Sequence, residues 1–349
     1  MIQIISLSQP IAWDEIVKSF PNYDVYYLSG YVKSFYIHGD GEPQLLYYTS
    51  STLRAIYVYM KRCINNIFYD IITPYGYGGV LFNGEISFEN LESFNKDFCS
   101  CMIKNNIVDN FVRYHPVLKN AKDMREISTV IDLGKTVALN LSSEDMIWQN
   151  ITSKNRNMIR KSEKNGVEIF HAKSNSLFGD FIRIYNETMT KDGADKYYYF
   201  ENDFYHSIHK DLFDNYEMFY AVYDNKIIAM SIILFANNQM HYHLSGSLSE
   251  FRNLAPSNLL LYKVAIWGCQ QGFKTFHLGG GIGSNEDNLY KFKAAFNRAS
   301  DYQFSIGKQI FNQNNFSGFN FIHFVYSIFK YCVYITVHII SPLYHKQHC

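Results

Sequence analysis

The chain has 349 residues, which suits about two domains, and it is long enough to bury a core without disulfide or metal staples. Hydrophobic residues make up 47%, which excludes wholesale disorder and collagen-like structure. Lys plus Arg and Asp plus Glu are 32 each, so the formal net charge is zero; a general nucleic-acid coat is excluded, and a local basic patch is not.

Two numbers stand apart. Charged residues are only 18%, and aromatics reach 17% with 29 Tyr and 28 Phe against 3 Trp. Coding bias of an AT-rich genome is the plainer reading of that excess. A groove built of aromatics for sugars, bases or lipid is the sharper alternative. The six cysteines form no C-x-x-C pair. Cys99 and Cys101 alone are close, in an expected helix, so buried thiols and no metal site are expected. The start, MIQIISLSQPIAWDEI, lacks a basic leader pattern. A cytoplasmic protein with reduced thiols follows as the expectation.

In chain order, Asn95 to Asn106 has helical spacing, and Ile107 to Tyr114 is β-branched and aromatic like a strand. Thr129 to Leu133 is a further strand. A helix starts at Ser142 or Ser143, and another runs from Ser153 to a stop at Gly166. A strand at Val167 to Phe170 and an amphipathic helix at Leu177 to Thr190 follow. Then come three strands, Tyr216 to Tyr223, Ile227 to Ala236 and Met240 to Leu248. Asp224-Asn225 and Asn237-Asn238 join them, the signature of an antiparallel meander. Ser257, a candidate N-cap, opens a helix to Gln271. A strand at Lys274 to Leu278 leads into Gly279-Gly-Gly-Ile-Gly-Ser284, and a helix is expected from about Asn285. Phe319 to Pro342 is apolar with one formal charge, Lys330. A helix packed on the domain or lying on a membrane surface suits it better than a spanning helix, given the cost of a central Lys.

Meander, helix, strand, glycine run and helix make an α/β (α+β) pattern with a mixed sheet. That order matches the acetyltransferase superfold abbreviated GNAT.

The chemistry-bearing candidates are few. Within residues 154–164, Lys154, Arg156, Arg160, Lys161 and Lys164 crowd one helix, with Arg156, Arg160 and Lys164 four apart on one face. They are candidates for binding phosphate, set against an ordinary solvated face. The loop Phe251-Arg252-Asn253-Leu254-Ala255-Pro256-Ser257 stands where a Gly-rich turn would hold a pyrophosphate. It has no glycine, and Pro256 lacks an N–H, so Arg252 is left as the anion ligand. The glycine run is a poor dinucleotide fingerprint, since Ser284 replaces its last glycine. Lys293, between Phe292 and Phe296, is a candidate to stabilise an oxyanion, set against a snorkelling surface Lys. His241 and His243 lie two apart on one strand and are read as core or surface histidines. Tyr75 and Tyr77 sit in the tight loop Thr73-Pro-Tyr-Gly-Tyr-Gly-Gly79, either a turn or part of a substrate wall.

Several segments together resemble the Fem-like acyltransferases, the GNAT-related group that includes the peptidoglycan-bridge aminoacyltransferases. They are DIITPYGYGG at 70–79, FVRYHPVLKN at 111–120, SKNRNMIRKSEKNGVEI at 153–169, YNETMTKDGADKYYYF at 185–200, the block GSLSEFRNLAPSNLLLYKVAIWGCQQGFKTFHLGGG, and the helix FKAAF. The resemblance implies two tandem GNAT-like domains: a degenerate one at 1–137, an acyltransferase one at 138–318, and an apolar helix or tail at 319–349. It implies an amine attacking an ester or thioester carbonyl. Lys293 matches the lysine of the family's F-K-x-x-F pattern. The backbone N–H groups near Ser245 and Ser247 are taken as partners for the carbonyl, with Gly246 allowing local distortion. No general base is assigned.

No tightly bound cofactor is expected; the donor is acyl-CoA or aminoacyl-tRNA. The chain lacks the long coiled-coil arm of some tRNA-using relatives, which leaves tRNA open as a partner. The acceptor implied is a nucleotide- or lipid-linked sugar of the cell envelope, in the cytoplasm or at the inner face of the membrane. A peripheral membrane contact through 319–342 stays open. The alternatives are a non-catalytic glycan-binding module with a degenerate double GNAT fold and a membrane-anchored assembly protein.

Overall fold

The computed structural model describes residues 1–311. The expected apolar helix at 319–349 lies outside the described residues, as do Cys332 and Cys349. Among the described residues no helix is long and apolar enough to cross a membrane.

The first half comprises β1 (Ile2–Ser6), α1 (Pro10–Lys18), α2 (Ser29–His38), β2 (Glu42–Thr49), β3 (Leu53–Cys63), β4 (Tyr69–Ile72), β5 (Leu81–Gly84), α3 (Phe88–Lys104), β6 (Ile107–Arg113) and α4 (Ala121–Met124). The second comprises β7 (Thr129–Asn140), α5 (Glu144–Asn150), α6 (Ser153–Lys164), β8 (Glu168–Ala172), α7 (Leu177–Lys191), α8 (Asn202–Asp211), β9 (Tyr216–Tyr223), β10 (Lys226–Ala236), β11 (Gln239–Ser247), α9 (Pro256–Gln270), β12 (Thr275–Gly279), α10 (Asn288–Ala294) and β13 (Tyr302–Ile310).

Helix starts follow local chemistry. The side chains of Ser87, Ser143, Thr152 and Asp287 each accept a bond from the amide three residues on, as N-caps do. The helix expected at Asn95 thus begins at Phe88. The last helix waits for Asp287 and begins at Asn288. Ser257 is not a cap: Ala255 occupies that position at φ 54°, and Pro256 is the first helical residue. Both meander turns place two consecutive residues at positive φ, Asp224-Asn225 and Asn237-Asn238. Two-residue hairpins favour that backbone because its twist matches the strands.

The strands form one sheet in the order β1-β2-β3-β4-β6-β13-β7-β12-β11-β10-β9-β8, with β5 beside β3. The pairs β4/β6 and β11/β12 are parallel, and the other strand pairs are antiparallel. Each half therefore repeats one plan: an antiparallel meander, a crossover helix (α3 or α9), and a strand returning parallel to the meander's end. The long strand β7 joins the halves. Its Thr129–Thr136 part pairs with β13, and Val137–Asn140 pairs with β12. The late strand β13 inserts between β6 and β7, so the end of the described chain completes the first half's sheet.

One apolar core lies in each half. A third is shared: Trp13, Tyr27, Phe35 and Ile56 from the first half pack with Phe181, Tyr205, Tyr216 and Met230 from the second. The helices α2 and α8 cross closely because Gly30 has no side chain; a Cβ there would lie 2.2 Å from Asp211 O. Lys33 Nζ bonds Asp211 Oδ1 at 2.9 Å across the same crossing.

Candidate active site

The parallel pair β11/β12 is in register only at Gln239–His241 against Thr275–His277. Beyond that β11 runs on to Ser247 and β12 to Gly279, so the two strands part. One side of this opening carries Ser245–Ser247. The other carries the glycine run and Lys293.

Lys293 is 8% exposed, an unusual place for an ammonium. Its Nζ donates to Gly280 O at 2.7 Å. Burial pulls its pKa down to about 8, against a smaller opposing effect of Asp287. The glycines let this happen. Gly279 has φ 78°, and a Cβ built on it would lie 3.4 Å from Lys293 Nζ and 3.7 Å from Tyr77 Oη. Lys293 and Tyr77, from opposite halves, thus flank one bare stretch of backbone. Asp287 fastens the loop: its carboxylate accepts from Ile282 N and caps α10 through Tyr290 N. A Cβ on Gly281 would meet that carboxylate at 2.4 Å. The run serves close packing around Lys293 and is no dinucleotide turn.

Tyr77 is half-buried, and desolvation pushes its hydroxyl up to about 12 even with the Arg113 cation nearby. Its ring lies 5.1 Å from His277, 5.8 Å from His115 and 5.6 Å from Phe304. The Arg113 guanidinium sits 5.9 Å from the same ring. Behind this wall lies a carboxylate that no sequence motif singles out. Asp24 is fully buried, and His241 Nε2 lies 2.9 Å from both its oxygens. His115 Nε2 lies 3.0 Å from Oδ2. Burial alone would raise the Asp24 carboxyl, but the His241 and His115 imidazoles outweigh it and hold it far below the usual range.

Asp24, His115 and His241 have the composition of a metal site. Their protons say otherwise. His115 Nδ1 accepts the Leu118 amide at 3.2 Å, so in a neutral ring Nε2 carries the hydrogen. A protonated Nε2 facing Asp24 has no lone pair for a cation. The cluster is a carboxylate holding two imidazoles.

The remaining candidates are dispersed. Ser245 pairs across from Ser231 on β10, with its hydroxyl bonded by Tyr242. The Ser247 amide donates to Thr188 Oγ1 at 3.0 Å, so it is already engaged. Gly246 is needed for another reason than distortion: a Cβ there would lie 2.7 Å from Ile184 O, and α7 lies directly on β11. Arg252 is exposed in a short 3₁₀ segment, Ser249–Leu254. At the start of α9 the Asn258 and Leu259 amides both donate to Ala255 O. With Pro256 lacking an N–H, the residues there do not fit a backbone cradle for a pyrophosphate. On α6, Arg156 and Arg160 lie 5.9 and 5.1 Å from the Trp148 ring, and Arg156 also bonds Trp148 O. Lys164 is exposed at the far end of that helix. Tyr75 is stacked on Phe35 at 5.2 Å and lies near His243 at 5.9 Å.

The sequence named Lys293 and Tyr77 and the structure brings them together. It missed Asp24, His115 and His277 and set His241 aside. His115 lay within FVRYHPVLKN and His241 was noted, but nothing local ties either to Asp24, which is 217 residues from His241.

Residues 152–293 match the family described as "Acetyltransferase (GNAT) domain". A solved structure described as FemX is similar over 91% of this chain and 99% of its own, at 13% identity and TM-score 0.68. The C-terminal domain of a putative lysylphosphatidylglycerol synthetase from Agrobacterium fabrum is similar over 93% of this chain and 98% of its own, at 12% identity and TM-score 0.57. A tandem GNAT protein from the clavulanic acid biosynthesis pathway is similar over 89% and 99%, at 7% identity and TM-score 0.50. No curated protein matches the chain in sequence.

Proposed function

Because residues 152–293 match a GNAT acetyltransferase domain and the chain lays one plan out twice, we propose that it is an N-acyltransferase. It moves an acyl or aminoacyl group from a thioester or ester donor to an amine of a cell-envelope glycan or peptidoglycan precursor. The observation that carries this reading is the buried Lys293 beside Tyr77, where β11 and β12 part. A buried ammonium with one of its three donors on Gly280 O has two left for an oxygen that gains charge. Such preorganised donors are worth most where water is excluded. The attacking amine must reach the carbonyl uncharged, and its proton must leave once the new C–N bond forms.

The substrate classes belong to the proposal, and the fold shared with FemX and with the domain of a putative lysylphosphatidylglycerol synthetase is in keeping with them. The poor pyrophosphate cradle at α9 argues against a donor held there by its diphosphate. The test presents acetyl-CoA and alanyl-tRNA separately, each with UDP-linked amino sugars, and reads the product by mass. A gain of one acyl or aminoacyl group supports the reading. A protein that binds the sugar nucleotide and transfers nothing from either donor is a binding module instead.

A further inference from the structure

Two buried histidines, His241 and His277, lie behind the Tyr77 ring. His241 donates through Nε2 to Asp24, so its Nδ1 is the bare nitrogen. That atom is buried and has no hydrogen-bond partner among the described residues. His277 is its register partner on β12, so the two side chains leave the sheet on the same face. Their ring centres are 5.7 Å apart. His277 Nε2 is also buried without a partner. The Tyr77 ring follows at 5.1 Å, and Tyr77 with Lys293 brackets Gly279. Buried polar atoms normally have partners, so two bare imidazole nitrogens on one face of the sheet mark the pair as a place where a proton could be received.

We propose that Asp24, His241 and His277 form a buried proton relay that takes up the proton lost by the attacking amine. The inference rests on the acyltransfer reading above. In the step, the amine lone pair forms the N–C bond, and the C–S or C–O bond of the donor breaks with its electron pair on the leaving group. The proton passes from nitrogen to His277 and on to His241, directly or over one water. It then returns by the same route to the leaving thiolate or alkoxide, so the relay ends as it began. Asp24 acts as a positioning residue. It fixes the His241 tautomer and offsets the charge while the proton is held, as a buried carboxylate does for a catalytic imidazole. The groups around the pair suit passage. His277 is held neutral, well below its ordinary range, by burial and then by His241, His115 and Lys293. His241 is faced by Asp24, Tyr26, His115 and His277.

The experiment compares the unaltered chain with Asp24→Asn, His241→Gln and His277→Gln, using alanyl-tRNA or acetyl-CoA with a UDP-linked amino sugar. The expected result is a fall in kcat of about 10²–10³-fold, with acceptor KM within about twofold, and a residual rate that climbs more steeply with pH. Folded variants with unchanged kcat, or with kcat and KM lost together, overturn the relay and leave the function standing. No transfer by the unaltered chain overturns the function and the relay with it. Where a variant does not fold, ¹⁵N-histidine spectra of the unaltered protein decide: a hydrogen on His241 Nε2 with a bare Nδ1 is expected, and the opposite tautomer overturns the proposal.

Discussion

Lys293 combines two opposed demands. Its pKa of about 8 lies below the unfolded value of 10.5, so folding disfavours the charged form. Between those two values the unfolded state binds more protons, and stability rises with pH. At neutral pH the buried charge is a net cost. Lys293→Met is expected to raise stability at pH 7 by on the order of 2 kcal/mol, read from urea midpoints, while transfer falls about 10²–10³-fold. A variant that is both inactive and less stable would contradict this account. Since the ammonium is the working form, wild-type kcat is expected to fall as pH rises through about 8. Asp40 gives a second test. Burial raises its carboxyl to about 6, with the Tyr197 hydroxyl opposing. The folded state therefore binds more protons between about 4 and 6, and stability falls as pH rises across that window. Asp40→Asn is expected to flatten this part of the pH–stability curve. Lys293 was legible because the F-K-x-x-F pattern is contiguous. Its burial was not, because that comes from Gly279, Gly280 and Tyr77 of the other half.

Elements with their own start and stop signals were legible in the sequence. The meander β9–β10–β11 was, through its Asp and Asn turns, and so was α6 between Thr152 and Gly166. The start of α9 was not: Ser257 looks like a cap, but Pro256 must occupy the first helical position and shifts the boundary. The strand β7 was seen only to Leu133, because Gly134 and Lys135 interrupt the β-branched run before Thr136 and Val137 resume it. Gly246 also misled, since a glycine on a strand suggests strain when its neighbour is a helix backbone. Gly246→Ala is expected to push α7 off β11 and cost about 1–3 kcal/mol in chemical denaturation. A neutral result would show that α7 moves aside freely. Thr152→Ala removes the α6 cap and is expected to cost about 1 kcal/mol.

At the scale of the whole molecule, the halves share β7, exchange β13 and bury a common core. A single cooperative transition is therefore expected in calorimetry, and two separated transitions would contradict the shared core. The aromatic excess is in large part this core: Trp13, Tyr27, Tyr31, Phe35, Tyr205 and Tyr216 are fully buried. Only a few of those rings, Tyr77 foremost, reach the site. The zero net charge likewise conceals a clustered basic helix and a buried lysine. The most direct test of the account is product mass after incubation of the full chain with acetyl-CoA or alanyl-tRNA and a UDP-linked amino sugar. One added acyl or aminoacyl group is expected with the unaltered chain and almost none with Lys293→Met at equal folded fraction. Equal product from both proteins would contradict it.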